Sequence, residues 1–479
     1  MLSFDGVSFS FHPKDGKDDP MQTQNNSLFH FEGKPSLARS FPIALQHLLA
    51  MIIGNILPSL VLTNALKGTP FEVPPEQALA VIQGGMFIAA LTTLLQLYPV
   101  WRFGARLPVV MGVSFAFIPI LVETGLHYGY AAVYGAQIVG GVVGLLVGVL
   151  IGRIRPLFPP IVSGTVVLCI GLSLYPVAVN YLAGGEGSPS FGSWENWAVG
   201  LLTLVVVLLC STYGKGLVKL AAILIGIGVG YGVSLLLHVT ILPGFVDFTN
   251  LSQATWITAP KILPFGLAFP LGSVVSMGLM QVVNSIEAVG DTSSTTMGAF
   301  DREATDREIS GSIEANALMS IVGAFIGALP TATYSQNVGI VSMTKVVARR
   351  VFVLVAGMLL IAGFVPKFGG LMMSIPQCVI GGATISVFAQ ITMNGIRLIT
   401  SEELTVRNTT IVGLGVALGY GHHHGSPGHG RPSRGPEDDL HLRPRHPRHH
   451  RGLSPQSPPS QDHLGRRATD ARADGGITF

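Results

Sequence analysis

The feature that most limits this chain is a series of apolar runs long enough to cross a bilayer, starting near residue 42 and recurring as far as residue 420. A hydrocarbon core of about 30 Å is crossed by roughly 20 apolar residues in a helix. Inside it, every backbone N–H and C=O must find a partner within the protein. Such runs occur at 42–63, 77–99, 105–122, 130–151, 159–182, 196–212 and 217–239. After a polar stretch they resume at 264–289, 309–329, 331–343, 347–365 and 370–394, with a last start at 408–420. Charged residues are only 11% of the 479, where a soluble domain carries about 25%. The chain therefore reads as an all-α polytopic membrane protein. A net charge of +3 supplies no electrostatic footprint for nucleic acid. Cys169, Cys210 and Cys378 are scattered through apolar stretches and suit small core residues better than a disulfide framework or metal site.

Loop charge tests the span count independently. Connections after even-numbered spans hold Arg102, Arg106, Arg153, Arg155, Lys215, Lys219, Arg302, Arg307, Lys345, Arg349, Arg350, Arg397 and Arg407. Those after odd-numbered spans hold only Lys67, Lys261 and Lys367. This positive-inside bias puts the N-terminus and the even loops in the cytoplasm. It divides the chain into a polar cytoplasmic segment (1–38), a first set of seven spans (39–240) and a second set (262–420) that stops within its sixth span. No short apolar core with a small-residue cleavage site follows the first segment, so a cleaved signal peptide is not expected. Residues 421–479 carry nine Arg, nine His, eight Pro and no Lys. Three readings fit: a metal-binding tract at His422-His423-His424, a solvated disordered tail, or out-of-frame translation of a GC-rich gene. The abrupt change inside an apolar span favours the last.

Ionisable groups at membrane depth cost at least about 2.5–3.5 kcal/mol, so each is a functional candidate. His47 lies in the first span, and Glu287 and Asp291 lie four residues apart at the end of the eighth, on one helix face. The pair suits a proton carrier, although Asp291 could instead cap the helix near Arg302. His47 could equally be a packing residue. The tenth span, Leu329-Pro330-Thr331-Ala332-Thr333-Tyr334-Ser335-Gln336-Asn337-Val338-Gly339, is too polar and broken to face lipid. The third has a matching break at Leu107-Pro108 through Ser114-Phe115-Ala116-Phe117. Paired broken segments at corresponding places in two halves point to a transporter's binding site. Helix N-termini, the amides of Gln336 and Asn337 and the Glu287 carboxylate suit a small planar ligand with alternating C=O and N–H groups. No nucleophile–base set or metal-ligand set is visible in the spans, so no enzyme and no cofactor is expected.

Gln336-Asn337-Val338-Gly339 continuing to Thr344-Lys345, with Gln46-His47, Ser114-Phe115-Ala116-Phe117 and Glu287 with Gly290-Asp291, resembles the signature of the nucleobase–ascorbate transporter family, the nucleobase/cation symporters. The resemblance covers about residues 40–420. It implies fourteen spans in two inverted seven-span repeats, of which the last two are missing here. A core domain (spans 1–4 and 8–11) would move against a gate domain (spans 5–7 and 12–14), as a homodimer in the inner (cytoplasmic) membrane. It further implies uptake of a nucleobase with protons. The substrate-binding set would be Glu287, Gln336, the Phe115 N–H, Ser114, Asn337 and Gly339, with Asp291, His47 and Asn316 in proton coupling and support. Gln336 is similar to xanthine and uric acid permeases, whereas uracil permeases tend to have Glu there. Asn316 stands where many relatives have Asp, which leaves H+ or Na+ open as the coupled ion, and Glu314 is a poor substitute. Rival readings are a uracil permease, an anion carrier of the sulfate/bicarbonate class with the same architecture, a non-transporting membrane receptor, or an inactive truncated product.

Overall fold

The computed structural model describes residues 27–154, 159–185, 188–240 and 244–425. The first spans are α1 (Leu37–Ala65) and α2 (Pro75–Leu97), which enter through Ser36 and Pro74. The third span is broken as expected, but its first half is extended: strand β1 (Met111–Val113) leads through a 3-10 turn (Phe115–Phe117) into α3 (Ile118–Ile154). At Gly129 (φ 74°) α3 breaks, and this break separates spans 3 and 4. A Cβ at that position would also lie 2.7 Å from the Phe71 ring. Spans 5 to 7 are α4 (Pro160–Leu182), α5 (Trp194–Tyr213) and α6 (Ala222–Thr240).

The second half repeats the plan. Helices α7 (Leu271–Phe300) and α8 (Asp306–Phe325) are followed by strand β2 (Thr331–Thr333) and α9 (Ser335–Thr344). Next come α10 (Arg349–Phe364) and the short α11 (Pro366–Met373), bent from it by 78°. They are followed by α12 (Gln377–Thr400) and α13 (Val406–Gly425). Several span boundaries differ from expectation: spans 7 and 8 start later, at Ala222 and Leu271, and the largest differences are in spans 8, 12 and 13. Span 8 does not end at 289 but runs to Phe300, because its last turns bury Thr292, Thr295 and Thr296 against protein. Span 12 begins at Gln377, since Pro376 breaks the apolar run that starts at 370. The run at 408–420 is a 20-residue helix, held to α4 by Cys169 Sγ and the Gly415 carbonyl at 3.7 Å. The expectations for residues 426–479 and 1–26 fall outside the described residues.

Strands β1 and β2 pair antiparallel, with Met111 opposite Thr333, Gly112 opposite Ala332 and Val113 opposite Thr331. Among the described residues, this two-stranded ribbon and an isolated bridge between Val100 and Phe103 depart from an all-helical chain. A ribbon leaves half its backbone groups unpaired, which is costly at membrane depth. Side chains from four helices satisfy them. Asn55 Oδ1 accepts from Val113 N at 2.7 Å, and Thr93 Oγ1 from Met111 N at 3.0 Å. Asn284 Nδ2 donates to Thr331 O at 3.0 Å, and Ser320 Oγ accepts from Thr331 N at 3.1 Å.

The helices pack in two groups. Helices α1–α3 and α7–α10 surround the ribbon, while α4–α6, α12 and α13 form a second bundle. Among the described residues, seven helices are apolar and long enough to span a bilayer, α3 accounting for two spans, and α10 with α11 would make one bent span more. Helices α7 and α8 fail that test because their polar faces, including Gln281, Asn284, Asp291 and Asn316, are buried in protein.

Charged residues of the N-terminal segment and of the connections after spans 2, 8 and 10 meet one another. At one end, Glu32 pairs with Arg106 (2.8 Å) and Arg349 (2.6 Å), Lys345 with Asp301 (2.9 Å), and Arg307 donates to the carbonyls of Trp101 and Arg102. The hydrogen bond from Arg106 holds the Glu32 carboxyl below the ordinary carboxylate range. Elsewhere, the odd-loop residue Lys261 pairs with Glu76, and Lys367 donates to Leu251 O.

A Cβ on Gly112 would lie 2.4 Å from the Tyr334 ring and 2.7 Å from Asn55 Oδ1, so the ribbon admits no side chain there. Gly112→Val should destabilise the fold by about 1–3 kcal/mol, read as a lower Tm by size-exclusion of detergent-solubilised protein. Gly228→Val, where nothing lies within 4 Å, should leave Tm unchanged. Asn55→Val should cost about 1–3 kcal/mol by stranding the Val113 N–H in the same assay.

Candidate functional site

Beyond the ribbon, both broken crossings turn into helices. Ser114 caps the 3-10 turn, its Oγ accepting from Ala116 N at 3.3 Å. Tyr334, whose hydroxyl donates to Val113 O at 2.8 Å, ties the start of α9 to the end of β1. First-turn amides of a helix have no intrahelical acceptor, so the Phe115, Ser335 and Gln336 N–H groups are presented at one place.

That place is a cavity between the two helix groups. Ser114, Phe115, Thr333, Ser335 and Gln336 line it together with Glu287 of α7. Val167 and Ile170 of α4 and Val387, Ile391 and Asn394 of α12 form the facing wall. The Phe115 ring stands edge-on to Phe388 at 6.0 Å. Beside Glu287 the space is narrow, about 80 Å³, and it continues into a vestibule of about 730 Å³. The vestibule is bounded by Ile151 and Pro159, either side of the span 4–5 connection, and by Arg397 near the end of α12. It thus widens toward an end that carries even-numbered loops. Glu287 makes no hydrogen bond or ion pair with protein among the described residues.

Asp291 is buried in the interior of α7, nine residues before its end, so it does not cap the helix near Arg302. Arg302 instead bonds Glu308 at 2.5 Å. Asp291 accepts from Thr333 Oγ1 and, at 2.8 Å, from Ser335 Oγ, and it also lines the vestibule. The carboxylate therefore locks the strand-to-helix turn of span 10 onto α7.

Four sequence candidates lie off the cavity lining. Asn337 is turned to α1, donating to His47 Nδ1 and His47 O, both at 3.0 Å. His47 is wholly buried, against Phe352 at 4.9 Å, and braces α9 from behind. Gly339, three residues after Gln336 on the same face of α9, is exposed but does not line the cavity. Asn316 accepts from Thr331 Oγ1 at 2.6 Å and anchors β2 to α8. Asn337 and Asn316 thus brace the second broken crossing. Glu314 is likewise committed, to Arg102 at 2.9 Å and Ser310 at 2.8 Å.

Sequence reasoning missed Thr333, Ser335, Asn394 and Arg397 as cavity residues, and Asn55, Thr93 and Asn284 as braces. Their common signal is an uncharged polar or basic side chain inside or at the end of an apolar run, which attention to acidic groups and His overlooked. No group of three or more His, Cys, Asp or Glu that could hold a metal occurs among the described residues. The His422-His423-His424 side chains lie outside the description.

Comparison with known proteins agrees with this architecture. The chain is 34% identical to the uric acid permease PucK of Bacillus subtilis, over 79% of this chain and 86% of that one. It is 31% identical to the xanthine permease XanQ of Escherichia coli, over 82% and 85%. The nucleobase transporter PlUacP of Paenibacillus larvae is 32% identical over 79% and 85%. Among solved structures, the transmembrane domain of the cyanobacterial bicarbonate transporter BicA superposes with a TM-score of 0.58 at 13% identity, covering 80% of this chain and 96% of that one. Murine Solute Carrier 26 family member A9, an anion transporter in the inward-facing state, gives 0.54 at 11%, over 87% and 73%. At such identities these two show the fold alone: seven plus seven spans in inverted repeats. The Permease family model of xanthine/uracil type matches residues 38–426. The chain thus belongs to the nucleobase–ascorbate transporter family of permeases, membrane transporters rather than enzymes.

Proposed function

We propose that this protein takes up an oxidised purine, xanthine or urate, with protons across the cytoplasmic membrane, with its N-terminus inside and the base held between spans 3, 8 and 10. The observation that carries this reading is the Glu287 carboxylate, unpartnered in a cavity it shares with Gln336 and the Phe115 turn. A carboxylate at membrane depth without a protein partner is expensive, and ring N–H donors of a base offset that cost. The Gln336 amide presents a donor and an acceptor together, which matches a purine edge carrying adjacent C=O and N–H groups. The narrow apolar wall of Val167, Ile170 and Val387 suits a flat ring.

Coupling rests on Glu287 and Asp291, one turn apart and both on the cavity. Asn316 is spoken for by Thr331, so the missing carboxylate there removes nothing from the cavity. The likeness in fold to anion carriers does not extend to these residues: two carboxylates facing the site repel a dianion. The family resemblance adds a homodimer.

Glu287→Gln should lower initial uptake of radiolabelled xanthine or urate more than about tenfold, as expected for loss of a charge-assisted hydrogen bond of ~1.5–3 kcal/mol. Gln336→Ala should lower it by about tenfold through loss of the amide's neutral hydrogen bonds of ~0.5–1.5 kcal/mol each, both at unchanged membrane abundance. Wild-type rates in either variant would remove the site assignment. A protonophore should abolish accumulation, and Asp291→Asn should leave counterflow exchange while impairing accumulation. Competition by sulfate but not by xanthine would favour the anion-carrier reading instead. Alkaline phosphatase fusions should be active at Lys261 and inactive at Lys345 if the N-terminus is inside.

A further inference from the structure

Two polar side chains of α12 line the vestibule. Asn394 lines both the narrow part and the vestibule, and Arg397 lines the vestibule alone. Three residues apart on α12, they share one helix face, with Arg397 nearer the wide end. Neither side chain has a hydrogen-bond or ion-pair partner among the described residues. Most of the gate wall around them is apolar (Pro160, Val167, Ile391, Leu398), and the Ser163 hydroxyl is directed at Pro159 O, 3.5 Å away. Across the vestibule stand Glu287 and Asp291, which form no ion pair with Arg397.

Asn394 and Arg397 are both exposed, so the Arg397 guanidinium is open to the vestibule, and its planar fork of donors is matched by planar, oxygen-bearing anions. The amide of Asn394 adds one acceptor and one donor beside that fork. We propose that Asn394 and Arg397 form a second binding subsite, in the vestibule, for the anionic form of an oxidised purine. The fork engages a ring carbonyl and the adjacent deprotonated nitrogen, while Asn394 takes a remaining N–H. A base leaving Glu287 passes from a site that supplies an acceptor carboxylate to one that supplies positive charge. The subsite therefore discriminates by charge, favouring urate over neutral bases. This inference rests on reading the cavity as the nucleobase path.

The test is equilibrium binding of radiolabelled urate and of radiolabelled xanthine to the purified full chain in nanodiscs. It is run at mildly acid pH, where urate is an anion and xanthine is neutral. Arg397→Gln should weaken urate binding by about tenfold and xanthine binding by less than about twofold. Arg397→Lys should recover part of the urate affinity, because charge returns without the fork. Asn394→Ala should weaken urate in the same direction. Equal losses for both bases would overturn the proposal and mark Arg397 as a conformational latch toward the α7 carboxylates. Unchanged urate binding in Arg397→Gln would overturn it too. Failure of the wild type to bind either base would instead remove the purine reading on which it rests.

Discussion

The structure depends on how the backbone of two broken crossings is satisfied where water is absent. Residues 111–113 and 331–333 leave helical geometry at membrane depth, and their N–H and C=O groups have no solvent to turn to. They pair with each other, and Asn55, Thr93, Asn284 and Ser320 take several of the remaining donors and acceptors. Each of these side chains is buried in its own helix, so the ribbon draws α1, α2, α7 and α8 together around it. The polar faces that make α7 and α8 poor lipid-facing helices are the surfaces this arrangement needs.

Binding geometry follows from the same constraint. Because the strands are antiparallel, with Val113 opposite Thr331 and Met111 opposite Thr333, the two helices leave opposite ends of the short ribbon, and the first turns of both line one cavity. Asp291 holds the second of these turns through Thr333 and Ser335, which leaves Glu287, one turn earlier, free to face the cavity. His47 and Asn337 brace α9 from its other side. The candidate site is thus a by-product of backbone satisfaction, with a small number of side chains added. The facing wall, in contrast, is mostly apolar: Val167, Ile170, Val387 and Ile391.

Legibility in the sequence differed by type of residue. Glu287 and Gln336 could be picked out because an ionisable group, or a polar run around Pro, is conspicuous in an apolar span, while Phe115 was named only through the family resemblance of its motif. The structure sets them on one cavity. Asn337 stood beside Gln336 in the same motif, yet neighbouring residues on a helix point about 100° apart, and it faces His47 instead. Asn316 was read for the carboxylate it lacks, while its side chain holds Thr331. Asn55 and Thr93 gave no warning, since a single amide or hydroxyl in an apolar helix looks the same whether it braces a neighbour or bonds its own preceding turn.

What the sequence determined by itself was the membrane setting, the alternation of loops and the location of the two breaks. Each follows from local physics: the length of an apolar run, the sign of loop charge, and the inability of Pro and successive polar residues to face lipid. Only the tertiary structure decided that the breaks pair as strands, that Asp291 locks span 10 and does not cap span 8, and that Asn394 and Arg397 face the same space as Glu287. Those outcomes join residues from 40 to more than 200 positions apart. No local pattern encodes such a pairing, because it exists only when separate helices have packed and each buried polar atom has found its partner.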